Sequence, residues 1–265
     1  MAPVVLLPTS PVEAAQAFGD GVGVTVVGGG TVVMPEITYG RLRPERVLLL
    51  GRSGLDRIVR EEGVVTIGAA VPISELEGGD EPLATAASHV GDGEIRAQAT
   101  VGGNLCAGPS AESPRGDLQA PLIALGARVR SAGAGGERTE PLEDFLSGGA
   151  GRLVLDVSYD DVDRATGYAA AWRPHAHHYT ILAVAAARAG DGVRVAVTGA
   201  GDHAIRCTSV EAALAAGASA ADAAAKALGD VDPRDDALAS AWYRRRALPG
   251  LVEKALALSD SVGKR

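Results

Sequence analysis

The chain has 265 residues, 46% of them hydrophobic but only 3% aromatic, so alanine, valine and leucine must fill most of its core. Its formal charge of −8 carries no basic footprint for nucleic acid, and an acidic surplus of this size speaks mainly for solubility. No run of about 18 uncharged apolar residues predicts a membrane span. The opening MAPVVLLPTSP has no basic region of a secretory signal, so a cytoplasmic protein is expected. Cys106 and Cys207 are too few for a four-thiolate cluster or zinc site. They are expected as buried apolar thiols rather than as a disulfide.

TSPVEAAQAFG predicts a short helix, with Ser10 at the N-cap, Pro11 in the first helical position, Glu13 as the capping-box acid and Gly19 as the stop. A strand over 22–27 then feeds three glycines. Buried strands follow over 46–50 and 64–70, then a short helix near ISELEG and another over 82–91 that Gly91 ends. The stretch 94–117 holds no long periodic run and reads as loop. A helix over 118–127, a strand with a glycine-rich turn and returning edge, and a strand over 152–159 complete the first part.

From about residue 166 the pattern changes. GYAAAWRP, HYTILAVAAARAG and VRVAVTGA predict three strands of an antiparallel sheet, the alanine-rich middle one having a helix as its alternative. Thr208 with Glu211 starts a helix that Gly217 stops, and Ser219 with Asp222 starts another to about Leu228. A last helix spans 240–258, and Pro249 should kink or break it. A boundary is therefore expected near residue 160.

The glycines carry the chemistry. Gly28-Gly29-Gly30-Thr31-Val32 follows a strand, where glycine permits close backbone approach and bare N–H groups can nest an anion. No lysine follows, which excludes a P-loop. The Rossmann pattern fails at its last position, and Pro35 with its β-branched neighbours disfavours a helix there. GAGDHA (199–204) matches that pattern literally, but no second parallel strand is predicted after it. A second loop, ATVGGNLC, offers Thr100, Gly102, Gly103 and Asn104. The two loops read either as a clamp on a dinucleotide pyrophosphate or as two ordinary hairpin turns. His175, His177 and His178 lack an accompanying carboxylate or cysteine cluster, so no metal site is expected. The basic stretches 43–60 and 242–248 read as solvated faces or as an interface to an acidic partner.

At these two loops the chain resembles the flavin-binding subunit, or middle domain, of the molybdenum hydroxylases of the carbon monoxide dehydrogenase and xanthine dehydrogenase type. GGGTV (28–32) is similar to that family's first glycine loop and TVGGN (100–104) to its second. RPERVLLLGRSGLDRI, VVTIGAAVPISEL, EIRAQATVGGNLC, GDLQAPLIALGARV and SAWYRRRALPGLVEKAL resemble its other segments in order, across essentially the whole chain. The resemblance implies an α+β chain. A two-subdomain FAD-binding fold of the vanillyl-alcohol-oxidase type would occupy 1–160, with subdomains of about 1–52 and 53–160. A small C-terminal α+β domain, a three-stranded antiparallel sheet with three helices, would occupy 161–265.

Carried over residue by residue, the resemblance implies that Gly28, Gly29, Gly30 and Thr31 hold FAD pyrophosphate and that Thr100, Gly102, Gly103 and Asn104 complete the grip. Asp117 matches an aspartate on the flavin's sugar or ribityl side, its alternative being a helix N-cap. Leu153 matches an apolar position near the ring. Val32 stands where the family has Ser or Asp, and the stretch around Trp172 and Arg173 lacks the family's lysine. The implied role is electron transfer. Electrons would pass from [2Fe–2S] clusters on a small subunit to FAD here, with a molybdenum cofactor on a large subunit. The assembly would be a dimer of heterotrimers, with no catalytic residue on this chain. A stand-alone FAD oxidase or dehydrogenase and a scaffold with a degenerate flavin site are the alternatives.

Overall fold

The computed structural model describes residues 3–108, 116–148, 151–172, 180–190 and 192–262. Its first layer is a parallel sheet of β1 (Val4–Leu6), β2 (Val24–Val27) and β3 (Arg46–Leu49) in the order β1-β3-β2. Helix α1 (Pro11–Phe18) connects the first two strands, and its caps follow from the sequence. Ser10 Oγ accepts the Glu13 amide at 3.2 Å, and the Glu13 carboxylate accepts the amide and hydroxyl of Thr9 at 2.7 and 2.8 Å. Gly19 ends the helix at φ +62°.

A six-residue helix, α2 (Val33–Thr38), follows the glycine loop, contrary to the sequence expectation. Pro35 sits in its first turn, where its missing N–H has no intrahelical acceptor to lose. Its β-branched residues cost only a few tenths of a kcal/mol each, roughly, so a tight strand-to-strand crossover outweighs them. The loop therefore leaves the carboxyl end of a parallel strand, the usual place for a ligand in such sheets.

The second layer is an antiparallel sheet of β4 (Ile58–Glu61), β5 (Val64–Gly68), β6 (Arg128–Ala132), β7 (Arg138–Pro141) and β8 (Leu153–Asp160), ordered β4-β5-β8-β6-β7. Val157 on the central β8 faces Ile67 on one side and Val129 on the other, and all three are buried. A 3-10 turn at Ile73–Leu76 and helices α3 (Leu83–Ser88), α4 (Gly93–Gln98), α5 (Val101–Leu105), α6 (Gln119–Ala124) and α7 (Leu142–Gly148) surround it. The stretch expected as loop thus contains two short helices. Asp92 caps α4 and Thr100 caps α5, so each is one or two turns set by a side-chain acceptor rather than by periodicity.

The last sheet is antiparallel and has four strands, not three: β9 (Ala165–Trp172), β10 (Thr180–Ala189), β11 (Gly192–Thr198) and the two-residue β12 (Ile205–Arg206), ordered β12-β11-β10-β9. A two-residue edge strand has no periodicity to read. The alanine-rich β10 is a strand because both neighbours pair with it, Ala185 facing Tyr168 and Ala196; tertiary pairing overrides alanine's helical preference. One face of this sheet joins the core of the five-stranded layer, through Tyr168, Ala170, Ala183 and Ala185 against Ile67, Leu122 and Val157. The other face lies under α8 (Thr208–Ala215), α9 (Ala220–Lys226) and α10 (Ala241–Val262), with a 3-10 turn at Ala227–Gly229.

Ser219 caps α9 as expected, but Cys207 rather than Thr208 occupies the cap of α8. Helix α10 runs through Pro249 without ending. Leu248, Val252, Ala255 and Leu256 are buried against the sheet, and their burial outweighs the hydrogen bond that proline removes. Gly167 lets the helix come this close: a side chain there would strike the Ala255 carbonyl. No helix among the described residues is long and apolar enough to cross a membrane.

Candidate functional site

A cavity of about 550 Å³ lies where the parallel sheet meets the five-stranded layer. Gly28, Gly29, Gly30, Thr31, Val32, Thr100, Gly102, Gly103, Asn104, Asp117 and Leu153 all line it. The two glycine segments are 68 residues or more apart in sequence yet touch in space. A Cβ on Gly28 would strike Thr100 Oγ1, and one on Gly29 would run into the Gln98 carbonyl. Gly30 has φ +76°, a conformation side-chain-bearing residues rarely adopt.

The two loops spend their amides differently. The N–H groups of Gly29, Gly30, Thr31 and Val32 donate to no protein group among the described residues. In the second loop the Gly102 amide donates to Ala69 O at 2.8 Å and the Gly103 amide to Thr100 Oγ1 at 3.3 Å. Those two amides are therefore already committed, and this segment contributes close approach instead. A Cβ on Gly102 would stand 2.8 Å from that of Ala69. Val32 occupies the N-cap of α2 and supplies no side-chain acceptor, so the helix start is left open.

Asn104 is 6% exposed and bridges elements. Its Oδ1 accepts the Leu118 amide at 2.9 Å, fixing the start of α6. Leu118 holds that N-cap position, so Asp117 is not the cap. Asp117 is 7% exposed on the cavity wall, and Leu153, at the start of β8, is buried in the same wall. Sequence reasoning missed Arg152, Thr180 and Leu238, which also line the cavity. They come from three separate segments and carry no local motif. Arg152 is held by Ser131 and by the carbonyls of Ala134 and Gly136.

Cys106 is exposed along the wall, not buried as expected, while Cys207 is buried; both are free thiols. Some arginines of the basic stretches form ion pairs. Arg60 bridges Asp80 and Asp161, and Arg244 is 1% exposed with both Nη2 bonds on Asp236, at 2.8 and 2.9 Å. Trp172 stacks on His89 with centroids 4.7 Å apart. Arg173, His175, His177 and His178 lie outside the described residues. Among the described residues no group of three or more His, Cys, Asp or Glu is placed to hold a metal ion.

An apolar cavity entered by a glycine cradle with unspent amides suits a cofactor carrying both an anion and a large ring, which defines a nucleotide-cofactor protein. The signature of the FAD binding domain in molybdopterin dehydrogenase matches residues 2–158, and the chain belongs to that family. It is 27% identical over 256 residues to the 6-hydroxypseudooxynicotine dehydrogenase complex subunit alpha of Paenarthrobacter nicotinovorans, covering 88% of this chain and 85% of that one. It is 26% identical over 252 residues to the glyceraldehyde dehydrogenase medium chain of Sulfolobus acidocaldarius, covering 86% and 87%. A chain in the structure of carbon monoxide dehydrogenase from Hydrogenophaga pseudoflava has the same fold, with TM-score 0.84, 24% identity and 98% of both chains covered. FAD is the cofactor of this chain, and the chain is an oxidoreductase component.

Proposed function

We propose that this chain is the electron-transfer subunit of a heterotrimeric molybdenum hydroxylase. It would receive electrons from the iron–sulfur clusters of a small partner subunit and release them to an external acceptor. A large partner would hold the molybdenum cofactor, and two heterotrimers would associate. FAD, when bound, supplies the ability to take electrons singly or in pairs. The chain's own residues bind, orient and exclude water.

In this reading the open amides of Gly28, Gly29, Gly30, Thr31 and Val32 take the pyrophosphate. Thr100, Gly102 and Gly103 bring a second backbone against it, Asn104 holds that backbone to α6, Asp117 faces the sugar or ribityl side, and Leu153 packs near the ring. The FAD-binding part would be 1–160, with subdomains of about 1–52 and 53–160, and 161–265 a C-terminal domain. The observation that carries the reading is the first loop. Its amides have no protein acceptor among the described residues, and Gly28 and Gly29 lie where a side chain would strike the segment that opens the second loop. A relative named as the alpha subunit of a dehydrogenase complex supports the multi-subunit setting.

The test is expression with the products of neighbouring genes, followed by flavin, iron and molybdenum counts on what co-purifies. One flavin per copy of this chain, with iron and molybdenum on other chains, is the expected result. A chain that purifies alone and carries flavin would remove the heterotrimer, and one that carries no flavin in any setting would remove the whole reading.

A further inference from the structure

The outward face of α10 carries charges that find no partner on their own helix. Its inner face is buried against the last sheet. On the other side Trp242, Arg246, Gly250, Glu253 and Ala257 are exposed, with Pro249 half-buried in the same stripe. At 3.6 residues per turn these six positions share an arc of about 100°. Trp242 is 72% exposed, in a chain that holds only two tryptophans. An indole left in water forfeits the burial such side chains bring to cores and interfaces. Arg246 and Glu253 form no ion pair among the described residues. No charged residue stands three or four positions from either of them along the helix, the spacing at which helical side chains meet.

These residues are arranged about one point. Arg246 precedes Pro249 by three residues and Glu253 follows Gly250 by three, while Trp242 precedes Pro249 by seven and Ala257 follows Gly250 by seven. A second α10 running antiparallel across a two-fold axis at Pro249 and Gly250 sets Arg246 of each copy against Glu253 of the other, and Trp242 against the small Ala257. The centre can close, because Gly250 has no side chain and nothing of its own chain stands within 4 Å of where one would be. This symmetry singles out a second copy over a different protein: a face that complements itself needs its basic and acidic halves equally far from one point, as these are. We propose that the outward face of α10 is a self-association surface on which two copies of this chain pair antiparallel. One helix from each copy makes the contact, at the small end of stable interfaces, so the dimer depends on concentration. No flavin contact enters it, and it stands apart from the flavin reading above.

The test is sedimentation velocity of the full-length chain over a range of concentrations at low salt, where surface charges act most strongly. A monomer–dimer equilibrium is expected. Arg246→Glu brings like charges together twice, once on each side of the axis, and so does Glu253→Arg. Each should weaken association by about tenfold. A chain carrying both exchanges regains opposite charges across the axis and should associate like wild type. Trp242→Ser should weaken the dimer as the single exchanges do. These side chains are exposed, so the thermal midpoint of the monomer should hold in every variant. A chain monomeric at all concentrations, or a dimer that the single exchanges leave untouched, would overturn the proposal. So would a double variant no better than the single ones, which would give this face to a different partner.

Discussion

Gly29 is the residue with least freedom in the site, because an added Cβ meets the backbone carbonyl of Gln98, which cannot swing aside as a side chain can. Gly29→Val is therefore expected to abolish flavin retention, read as the flavin-to-protein absorbance ratio. Gly103 is different: a Cβ there meets only Thr100 Oγ1, at 3.1 Å. Gly103→Ala should fold normally and lose only part of its FAD affinity. Full occupancy in both variants would mean the cradle is not the binding site. Cys106 gives a second residue-scale prediction. Its thiol is exposed on the cavity wall, so alkylation of Cys106 in the flavin-free chain should proceed without unfolding and be slowed by FAD. A rate indifferent to FAD would take Cys106 out of the site. Cys207, buried and pushed up to about 12, should react only on unfolding. These glycines were legible in the sequence because an absent side chain leaves a backbone signature. Thr180 and Arg152 were not, because they reach the cavity wall from segments far apart in sequence.

Two short elements hold the wall together through single side chains. Asn104 in α5 supplies the acceptor for the first amide of α6. Asn104→Ala should cost about 1–3 kcal/mol, the usual effect of orphaning a buried donor, and should loosen Asp117 beside it. A denaturation midpoint unchanged by this substitution would remove that role. Arg244 does the same for the segment before α10. It pairs with Asp236 and donates to the carbonyls of Arg234 and Ala239 at 2.6 and 3.0 Å, and the amide of Leu238, a cavity residue, is held by the same Asp236. Arg244→Met takes the cation away from the Asp236 carboxylate and its donors away from two carbonyls, and should destabilise the chain by about 3–5 kcal/mol in urea unfolding. This arginine read as part of a solvated basic face or interface; only the fold turns it inward. Capped helices such as α1 and α9 were legible because a cap acts within four residues. Helix α10 is not broken at Pro249, and that continuity was not legible, because the apolar contacts that carry it come from strands about 70 residues away in sequence.

At the scale of the whole molecule, the cavity draws on all three layers. Val24 and Val26 come from the parallel sheet, Leu153 and Val154 from the five-stranded sheet, and Thr180 and Leu238 from the C-terminal part. Glu143 on α7 ties two of these layers by accepting from Arg194 on β11 and Arg206 on β12. A ligand held by all three should stabilise the entire chain rather than one part. Free FAD at about 100 times its dissociation constant should add about 2.7 kcal/mol to unfolding and raise the thermal midpoint with FAD concentration in one transition. A midpoint indifferent to FAD, or a rise confined to one of two transitions, would contradict a shared site.

The amino-acid sequence alone settled the glycine segments, the caps of α1 and α9, the apolar strands and the family resemblance, all of which rest on interactions within a few residues or on ordered motifs. Folding settled which loop amides stay free, that a helix follows the first glycines, that ten alanine-rich residues form a strand, and that Arg152, Thr180 and Leu238 reach the cavity wall. Hydrogen-bond partnership and burial are properties of groups brought together from distant positions, so no local pattern in the chain can encode them by itself.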